Sequence, residues 1–173
     1  MWRPSSRIVS WLSRVIMLGL LMGCVESTSA PEPAVKLQPT DYEFAEFLHV
    51  ALDSMTLSSS GLYYRTLEEG KGEDIVEVGD TVGVDFVGWL PNGVEFDNTD
   101  GSLPFPHTLG SGLVISGFEE GLLGMKLSET RQLVIPYQLG YGSQGWNFNM
   151  AYVPAYATLV FQVKVVSFDK AVS

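Results

Sequence analysis

The sequence predicts an α+β domain in which a curved antiparallel β-sheet wraps around one short α-helix, with a second short helix outside it toward the N-terminus. Three observations support this class. Strand-forming runs joined by turn signals fill residues 60–170, one compact helix signal interrupts them at residues 114–121, and apolar residues recur at helical spacing within residues 40–56. Strands that follow one another through hairpins and loops favour an antiparallel sheet over a parallel one.

The composition is that of one globular domain. The chain has 173 residues, of which 46% are hydrophobic and 17% charged, which suffices for a single domain with a substantial core. The formal net charge of −10 argues against nucleic acid as a partner. His49 and His107 lie in unrelated segments without cysteine partners, so we expect neither a metal site nor another cofactor.

The first residues have the features of an export signal that ends at a lipidated cysteine. Three arginines precede an apolar run at residues 15–22, which is shorter than the roughly 18 residues that a membrane-spanning helix needs. The run ends in Leu21-Met22-Gly23-Cys24, which resembles the lipobox of bacterial lipoproteins. We therefore expect residues 1–23 to be a signal peptide and Cys24 to carry lipid and bind the membrane. The alternative is an ordinary secretory signal followed by an unpaired thiol.

The residues after the cysteine bear on location. Val25 stands where an aspartate commonly marks inner-membrane retention in lipoproteins of bacteria with two membranes, so the resemblance implies the outer membrane, facing the periplasm. Residues 24–39 are rich in Ser, Thr, Ala and Pro and are expected to form a flexible tether.

A helix of about 12 to 15 residues is predicted within residues 40–56. Thr40-Asp41-Tyr42-Glu43 has the spacing of a capping box that opens a helix. The apolar residues that follow at helical spacing are Phe44, Phe47, Leu48, Ala51, Leu52 and Met55. This apolar face would pack on the domain or, as the less favoured alternative, form a weak homodimer, because one short helix makes a small interface.

The strands follow from period-two patterns. Residues 62–67 and 81–90 are rich in β-formers, and alternation in the second run predicts one core face. That face consists of Val82, Val84, Phe86 and Leu90. Asn92-Gly93 is a strong hairpin signal, so residues 94–97 should return antiparallel to the preceding strand. The remaining strands are predicted at residues 131–135 and 158–168.

The central helix is predicted to begin near Gly117 and to last about two turns. Ser116 and Glu119 have capping-box spacing, and Gly124 suits the left-handed residue that ends a helix. A helix this short is not stable alone, so Phe118 and Leu122 must pack against the sheet.

From about residue 61 to residue 168 the chain resembles the FKBP-type peptidyl-prolyl cis-trans isomerases. The matching segments are Gly79-Asp80-Thr81-Val82, Asn92-Gly93, Phe96-Asp97, Pro104-Phe105, Leu109-Gly110, Val114-Ile115-Ser116-Gly117-Phe118-Glu119-Glu120-Gly121, Ile135-Pro136, Leu139-Gly140-Tyr141-Gly142, Val153-Pro154 and Ala157-Thr158-Leu159-Val160-Phe161. Each segment alone is weak, but their order and spacing together are specific. The resemblance implies an FKBP-like fold and an isomerase that assists the folding of exported proteins.

The resemblance also implies the site. Asp97 and Tyr141 would be the catalytic residues, and the substrate-binding residues would be Phe86, Phe96, Phe105, Val114, Ile115, Phe118, Trp146, Tyr152 and Phe161. The implied ligands are proline-containing unfolded or exported proteins and macrolide inhibitors of the tacrolimus and rapamycin kind. Phe86 and Phe118 replace the tyrosine and tryptophan of the best-known members, and the segment at residues 146–151 is longer than the family's turn.

An apolar pocket can catalyse this isomerisation without a nucleophile. Rotation about a peptide C–N bond costs roughly 18–20 kcal/mol because resonance gives the bond double-bond character. A pocket that strips water from the imide disfavours its charge-separated resonance form. The alternative function is that of a non-catalytic holdase or adhesion module on the same fold. Residues 142–156 are predicted to be an ordered loop, either packed inward or acting as a flap that grips the client protein.

Overall fold

The structure, a computed structural model, describes residues 35–99, 101, 103–148 and 151–171. Its strands are β1 (Thr56–Leu57), β2 (Tyr63–Glu68), β3 (Thr81–Trp89), β4 (Glu95–Asn98), β5 (Phe105–Thr108), β6 (Thr130–Ile135), β7 (Trp146–Phe148), β8 (Ala151–Val153) and β9 (Leu159–Asp169). The α-helix is α1 (Ser116–Leu122), and single 3-10 turns lie at Pro39–Asp41, Glu46–Leu48, Leu52–Ser54 and Tyr137–Leu139. The predicted signal peptide and Cys24 lie outside the described residues. In the described part, no helix is both long and apolar enough to cross a membrane.

The main sheet is antiparallel and runs in the order β1-β2-β6-β9-β3-β4, with β5 also paired to β3. The α+β class and the five predicted main strands are confirmed, since those strands correspond to β2, β3, β4, β6 and β9. The predicted hairpin joins β3 to β4, and Gly93 adopts the left-handed φ of 86° that such a turn needs. Register shifts within β2, β3 and their partners bend the sheet so that one face is concave.

Helix α1 lies against the concave face of β6, and two glycines allow the close approach. A Cβ atom added at Gly117 would lie 2.4 Å from Ile135 Cγ2, and one at Gly121 would lie 2.3 Å from Leu133 Cδ1. Phe118 and Leu122 are buried between the helix and the sheet, as predicted. The helix has the predicted two turns, and Gly124 after it has a φ of 73°.

The predicted capping box of α1 is wrong. The residue that precedes the helix is Ile115, whose aliphatic side chain offers no acceptor to the first helical amides. The Ser116 hydroxyl instead donates to the Leu139 carbonyl, at 3.4 Å. The Glu119 carboxylate turns away from the cap and accepts a hydrogen bond from His107 on β5. Both side chains are therefore bound to other segments of the chain.

The other end of α1 is stabilised by a buried arginine on β6. Arg131 Nη1 donates to the Gly121 carbonyl at 2.9 Å and to the Leu123 carbonyl at 3.1 Å. These carbonyls lie at the helix C-terminus, where acceptors lack helical partners and the helix dipole favours a cation. Glu129 balances the buried charge, since its Oε1 accepts from Arg131 Nη2 at 2.8 Å.

The predicted N-terminal helix at residues 40–56 is wrong. The segment instead contains short 3-10 turns separated by extended residues, and His49 has a left-handed φ of 49°. We call residues 44–55 the strap, because they lie along the convex face of the sheet. Backbone groups of the strap bind the domain: Gln132 Nε2 donates to the Leu48 carbonyl at 2.7 Å, and the Ala45 amide donates to the Pro91 carbonyl at 2.8 Å.

The apolar side chains of the strap pack on the domain, which was one of the two destinations left open by the sequence. Leu48 and Met55 are buried with Val134 of β6 and Val160 of β9. Leu133, which is next to Val134 in β6, and Phe161, which is next to Val160 in β9, belong to the core on the concave side. Because successive side chains of a strand point to opposite faces, the strap and helix α1 cover opposite faces of the same two strands.

Residues 142–156 contain a strand pair that was not predicted. β7 and β8 form a two-stranded antiparallel sheet, with Trp146 opposite Val153. Gly145 precedes it with a φ of 63°, and a Cβ atom there would lie 2.3 Å from the Val153 carbonyl oxygen. The glycine is thus required for the close approach of the two chains. The short hairpin gave no period-two signal because glycine and asparagine interrupt its sequence.

Candidate active site

The site is built on a cluster of aromatic rings centred on Phe161 of β9. Its ring lies 5.4 Å from that of Phe118 on α1 and 5.5 Å from that of Phe96 on β4, both edge to face. Phe86 of β3 lies 6.0 Å from Phe161 and 5.5 Å from Phe118. Edge-to-face contacts are a favoured arrangement of aromatic pairs, so each ring fixes the orientation of its neighbours. Separate strands and the helix therefore supply one rigid aromatic floor and wall.

An open cavity of about 770 Å3 lies above this cluster. Nine of the site residues predicted from the sequence line this cavity: Phe86, Asp97, Phe105, Val114, Ile115, Phe118, Tyr141, Trp146 and Phe161. A concave, mainly apolar cavity with a few polar groups at its rim is typical of a small-molecule or side-chain binding site.

Two predicted site residues lie outside the cavity lining. Phe96 is buried behind the wall, with its ring edge to face with those of Phe161 and Tyr141. It therefore supports residues that line the cavity. Tyr152 is 61% exposed on β8, opposite Asn147 of β7.

Tyr141 and Trp146 form one side of the rim. Their rings are stacked, with centroids 5.5 Å apart and an interplanar angle of 17°. Tyr141 follows the 3-10 turn at Tyr137–Leu139, and Trp146 begins β7. The hairpin that follows the rim tyrosine therefore folds back so that its first residue holds the tyrosine ring in place.

The two polar groups of the site influence each other. Burial raises the pKa of the Tyr141 hydroxyl, and the negative charge of Asp97 raises it further. The hydroxyl, protonated at neutral pH even without this shift, can donate a hydrogen bond. Burial also raises the pKa of Asp97, and a hydrogen bond from the Asn98 backbone partly opposes this. Asp97 is partly exposed, so solvent reduces both effects.

Sequence reasoning missed several cavity residues. They are Asn98, Thr99, Leu103, Pro104, Pro106 and Leu113. Leu103 and Leu113 are 79% and 83% exposed. They were missed because an isolated leucine in a loop has no periodic pattern that would mark it as part of a site. Thr99 supports the wall, since its hydroxyl accepts the Phe86 amide at 3.2 Å. The signal that could have located five of these residues is their position within residues 98–106, directly after Asp97, and Leu113 directly precedes the predicted site residue Val114.

The described residues contain no group of three or more His, Cys, Asp or Glu side chains that could hold a metal ion. Within the part of the chain that the structure describes, the carboxylate paired with His107 is that of Glu119. The side chains that line the cavity supply aromatic surfaces, the hydroxyls of Tyr141 and Thr99, the amide of Asn98 and the carboxylate of Asp97.

Comparison with known proteins identifies relatives that match most of this domain. The family model for FKBP-type peptidyl-prolyl cis-trans isomerase matches residues 72–166. An FK506-binding protein of Neisseria meningitidis serogroup B is 42% identical over 106 residues, which cover 61% of this chain and 94% of that protein. FK506-binding protein 1 of Dictyostelium discoideum is 40% identical over 62% of this chain and 98% of its own length.

A solved structure supports the same assignment. The crystal structure of FkpA from Escherichia coli is similar with a TM-score of 0.61 and 36% sequence identity. The similarity covers 73% of this chain and 56% of FkpA, so this chain spans little more than half the length of that protein. The chain belongs to the family of FKBP-type peptidyl-prolyl cis-trans isomerases.

Proposed function

We propose that the chain isomerises X-Pro bonds of exported proteins in the aromatic cavity, by desolvation and orientation of the imide. The observation that carries the proposal is the cavity itself: clustered phenylalanine rings form its floor, and a tyrosine hydroxyl and a carboxylate lie at its rim. Its volume, about 770 Å3, is within the range of cavities that bind small ligands. Macrolides of the tacrolimus kind would occupy the same cavity, as the names of the relatives suggest.

Desolvation lowers the barrier because the planar imide and the twisted imide differ in polarity. The planar form has a charge-separated resonance contribution that water stabilises, and the twisted form has lost most of it. When the proline ring enters the aromatic cavity, the imide exchanges water for the rings of Phe86, Phe118 and Phe161. The planar form then loses more solvation than the twisted form, and the difference in free energy between them becomes smaller.

Tyr141 would orient the substrate. A protonated hydroxyl at the rim donates a hydrogen bond to a substrate carbonyl and holds the peptide in the bent form that accompanies rotation. Asp97 places a negative charge near that hydroxyl, and this charge raises the pKa of Tyr141 in addition to the effect of burial. Trp146, stacked on Tyr141, limits the positions the ring can adopt.

We expect Tyr141→Phe to lower kcat/KM on a short prolyl peptide about tenfold, as loss of one oriented hydrogen bond worth about 1.4 kcal/mol implies. The thermal midpoint should change little because the ring keeps its stacking on Trp146. Tyr137→Phe is the matched control, since this tyrosine packs edge to face on Tyr156 outside the cavity lining. Wild-type protein that fails to accelerate isomerisation in a protease-coupled assay would refute the proposed function and favour a holdase.

We also propose that the chain acts at the cell envelope, attached by lipid on Cys24, in the outer membrane and facing the periplasm. The support is the sequence order of basic residues, a short apolar run and Leu21-Met22-Gly23-Cys24, with Val25 next. Mass spectrometry of the mature protein should find residue 24 at the N-terminus with attached acyl chains. Cys24→Ser should release the protein from the membrane fraction. A mature N-terminus at another residue, or an unmodified Cys24, would contradict this.

A further inference from the structure

One carboxylate ties together three segments that border the cavity. Glu119 Oε1 lies 2.8 Å from His107 Nε2 on β5 and accepts the Gly112 amide at 3.2 Å. We call residues 109–115 the cavity loop, because Leu113, Val114 and Ile115 line the cavity. Since a carboxylate oxygen accepts, Nε2 is the donor in the bond with His107. A single atom on α1 thus binds both the strand before the cavity loop and the middle of that loop.

His107 carries this contact into the aromatic wall. Its ring is buried and lies parallel to that of Phe105, with centroids 6.0 Å apart and an interplanar angle of 13°. Phe105 in turn packs edge to face on Phe86, and both rings line the cavity. The orientation of the imidazole, set by its bond to Glu119, therefore limits where Phe105 can lie.

The cavity loop has few other attachments near its centre. The Leu109 amide donates to the Asp80 carbonyl and the Ser111 amide donates to the Thr108 carbonyl, so the start of the loop is held separately. Gly112 follows with a left-handed φ of 66°, and because glycine has access to more backbone conformations than other residues, the hydrogen bond to Glu119 helps to select this one. Leu113, which comes next, is 83% exposed and gains little from packing.

We infer that Glu119 is a positioning residue for the isomerase reaction, holding the cavity loop and, through His107, the Phe105 ring. The inference rests on the proposed function. It differs from the expectation for acidic residues in a first helical turn, which need only interact with the helix dipole. Its neighbour Glu120 lies in the same turn but accepts from Ser60, which is not part of the cavity lining. Glu120 therefore provides the matched control.

The test compares Glu119→Gln, Glu119→Ala and Glu120→Ala at a temperature where thermal unfolding shows each to be folded. Because a displacement of about 1 Å can cost roughly 100-fold in rate, we expect Glu119→Ala to lower kcat/KM by about tenfold or more. Glu119→Gln keeps an acceptor oxygen and should stay within about threefold of wild type, since neutral acceptors still bond both donors. Glu120→Ala should match wild type. Equal activity of Glu119→Ala and wild type, or an equal loss in Glu120→Ala, would overturn the inference.

A second measurement separates this inference from the proposed function. The amide proton of Gly112 should resonate downfield in wild type, where it binds a carboxylate, and move upfield in Glu119→Ala together with the methyl resonances of Val114 and Ile115. His107→Phe, which keeps a ring beside Phe105 but lacks the N–H donor, should shift the resonances of the Phe105 ring. If wild type proves inactive but these shifts occur, Glu119 still holds the loop. Unchanged resonances in Glu119→Ala would overturn the positioning role whatever the activity.

Discussion

Phe161→Ala should lower the free energy of unfolding by about 3–5 kcal/mol, because truncation of a buried aromatic ring leaves a cavity that the core fills poorly. The Phe161 ring contacts Phe86, Phe96 and Phe118, and its edge lies over Gly88 of the neighbouring strand. A Cβ atom at Gly88 would lie 2.8 Å from Phe161 Cε1 and 2.9 Å from Phe96 Cζ, so the two rings together fill the space beside the glycine. Chemical denaturation followed by circular dichroism measures the loss.

The same substitution should lower kcat/KM on a short prolyl peptide at least about tenfold. A substrate held by displaced rings is no longer oriented correctly for the reaction. The remaining rings lose the neighbour that orients them, and the cavity loses part of its lining. Phe47→Ala is the matched control: this strap residue is 58% exposed, so its loss should cost about 1 kcal/mol and leave activity intact. A Phe161→Ala protein as stable as Phe47→Ala would contradict the central position assigned to the ring.

Two substitutions in the β7–β8 hairpin should differ in whether their effect on activity depends on the length of the substrate. Trp146→Ala removes the ring stacked on Tyr141 and part of the cavity lining, so kcat/KM should fall about tenfold on short peptides and on refolding proteins alike. Tyr152→Ala removes an exposed side chain outside the cavity, so catalysis on a short peptide should not change. If the hairpin grips longer clients, Tyr152→Ala should slow only proline-limited refolding.

The measurement is a pair of assays on each variant, one with a tetrapeptide and one with an unfolded protein whose refolding is limited by proline isomerisation. Tyr152→Phe serves as the control, because it keeps the exposed ring and loses only the hydroxyl. If wild type and Tyr152→Ala catalyse refolding equally well, Tyr152 does not bind longer clients. Full short-peptide activity of Trp146→Ala would contradict the contribution of the stacked pair.

Most of the predicted site residues line the cavity, and they could be located from sequence because they occur at fixed distances from recognisable segments. Asp97 follows the Asn92-Gly93 hairpin, Phe118 lies in the short helix, and Phe161 lies in the last strand, so the family resemblance assigned each one individually. Phe96 shows the limit of this approach. The sequence pattern of β4 shows that Phe96 faces the core. It cannot show whether the ring lines the cavity or supports residues that do, because both kinds of ring are apolar and buried. We accordingly expect Phe96→Ala to act mainly on stability.

The N-terminal segment was mispredicted because apolar spacing reports a buried face and not the hydrogen bonds of the backbone. Leu48 and Met55 are buried as a helix would bury them, but against a sheet that holds the Leu48 carbonyl through Gln132. Arg65 likewise donates to the His49 carbonyl. Side chains of distant residues thus bind backbone carbonyls that would otherwise accept helical hydrogen bonds. The sequence of the segment alone does not reveal such partners. The capping residues Ser116 and Glu119 were misassigned for the same reason.

The placement of the strap and of helix α1 on opposite faces of β6 and β9 has a mechanical consequence. If the chain is anchored through residues before 35, tension from the anchor passes Lys36, which lies over the Tyr156 ring, and buried Pro39 before it acts on the strap. It is resisted there by the packing of Leu48 on Val134 and Val160 and by the bond from Gln132. Such a load would peel the strap from the convex face before it reached the aromatic rings on the concave face. A tethered domain can therefore be pulled and reoriented by its anchor while the geometry of its cavity stays unchanged.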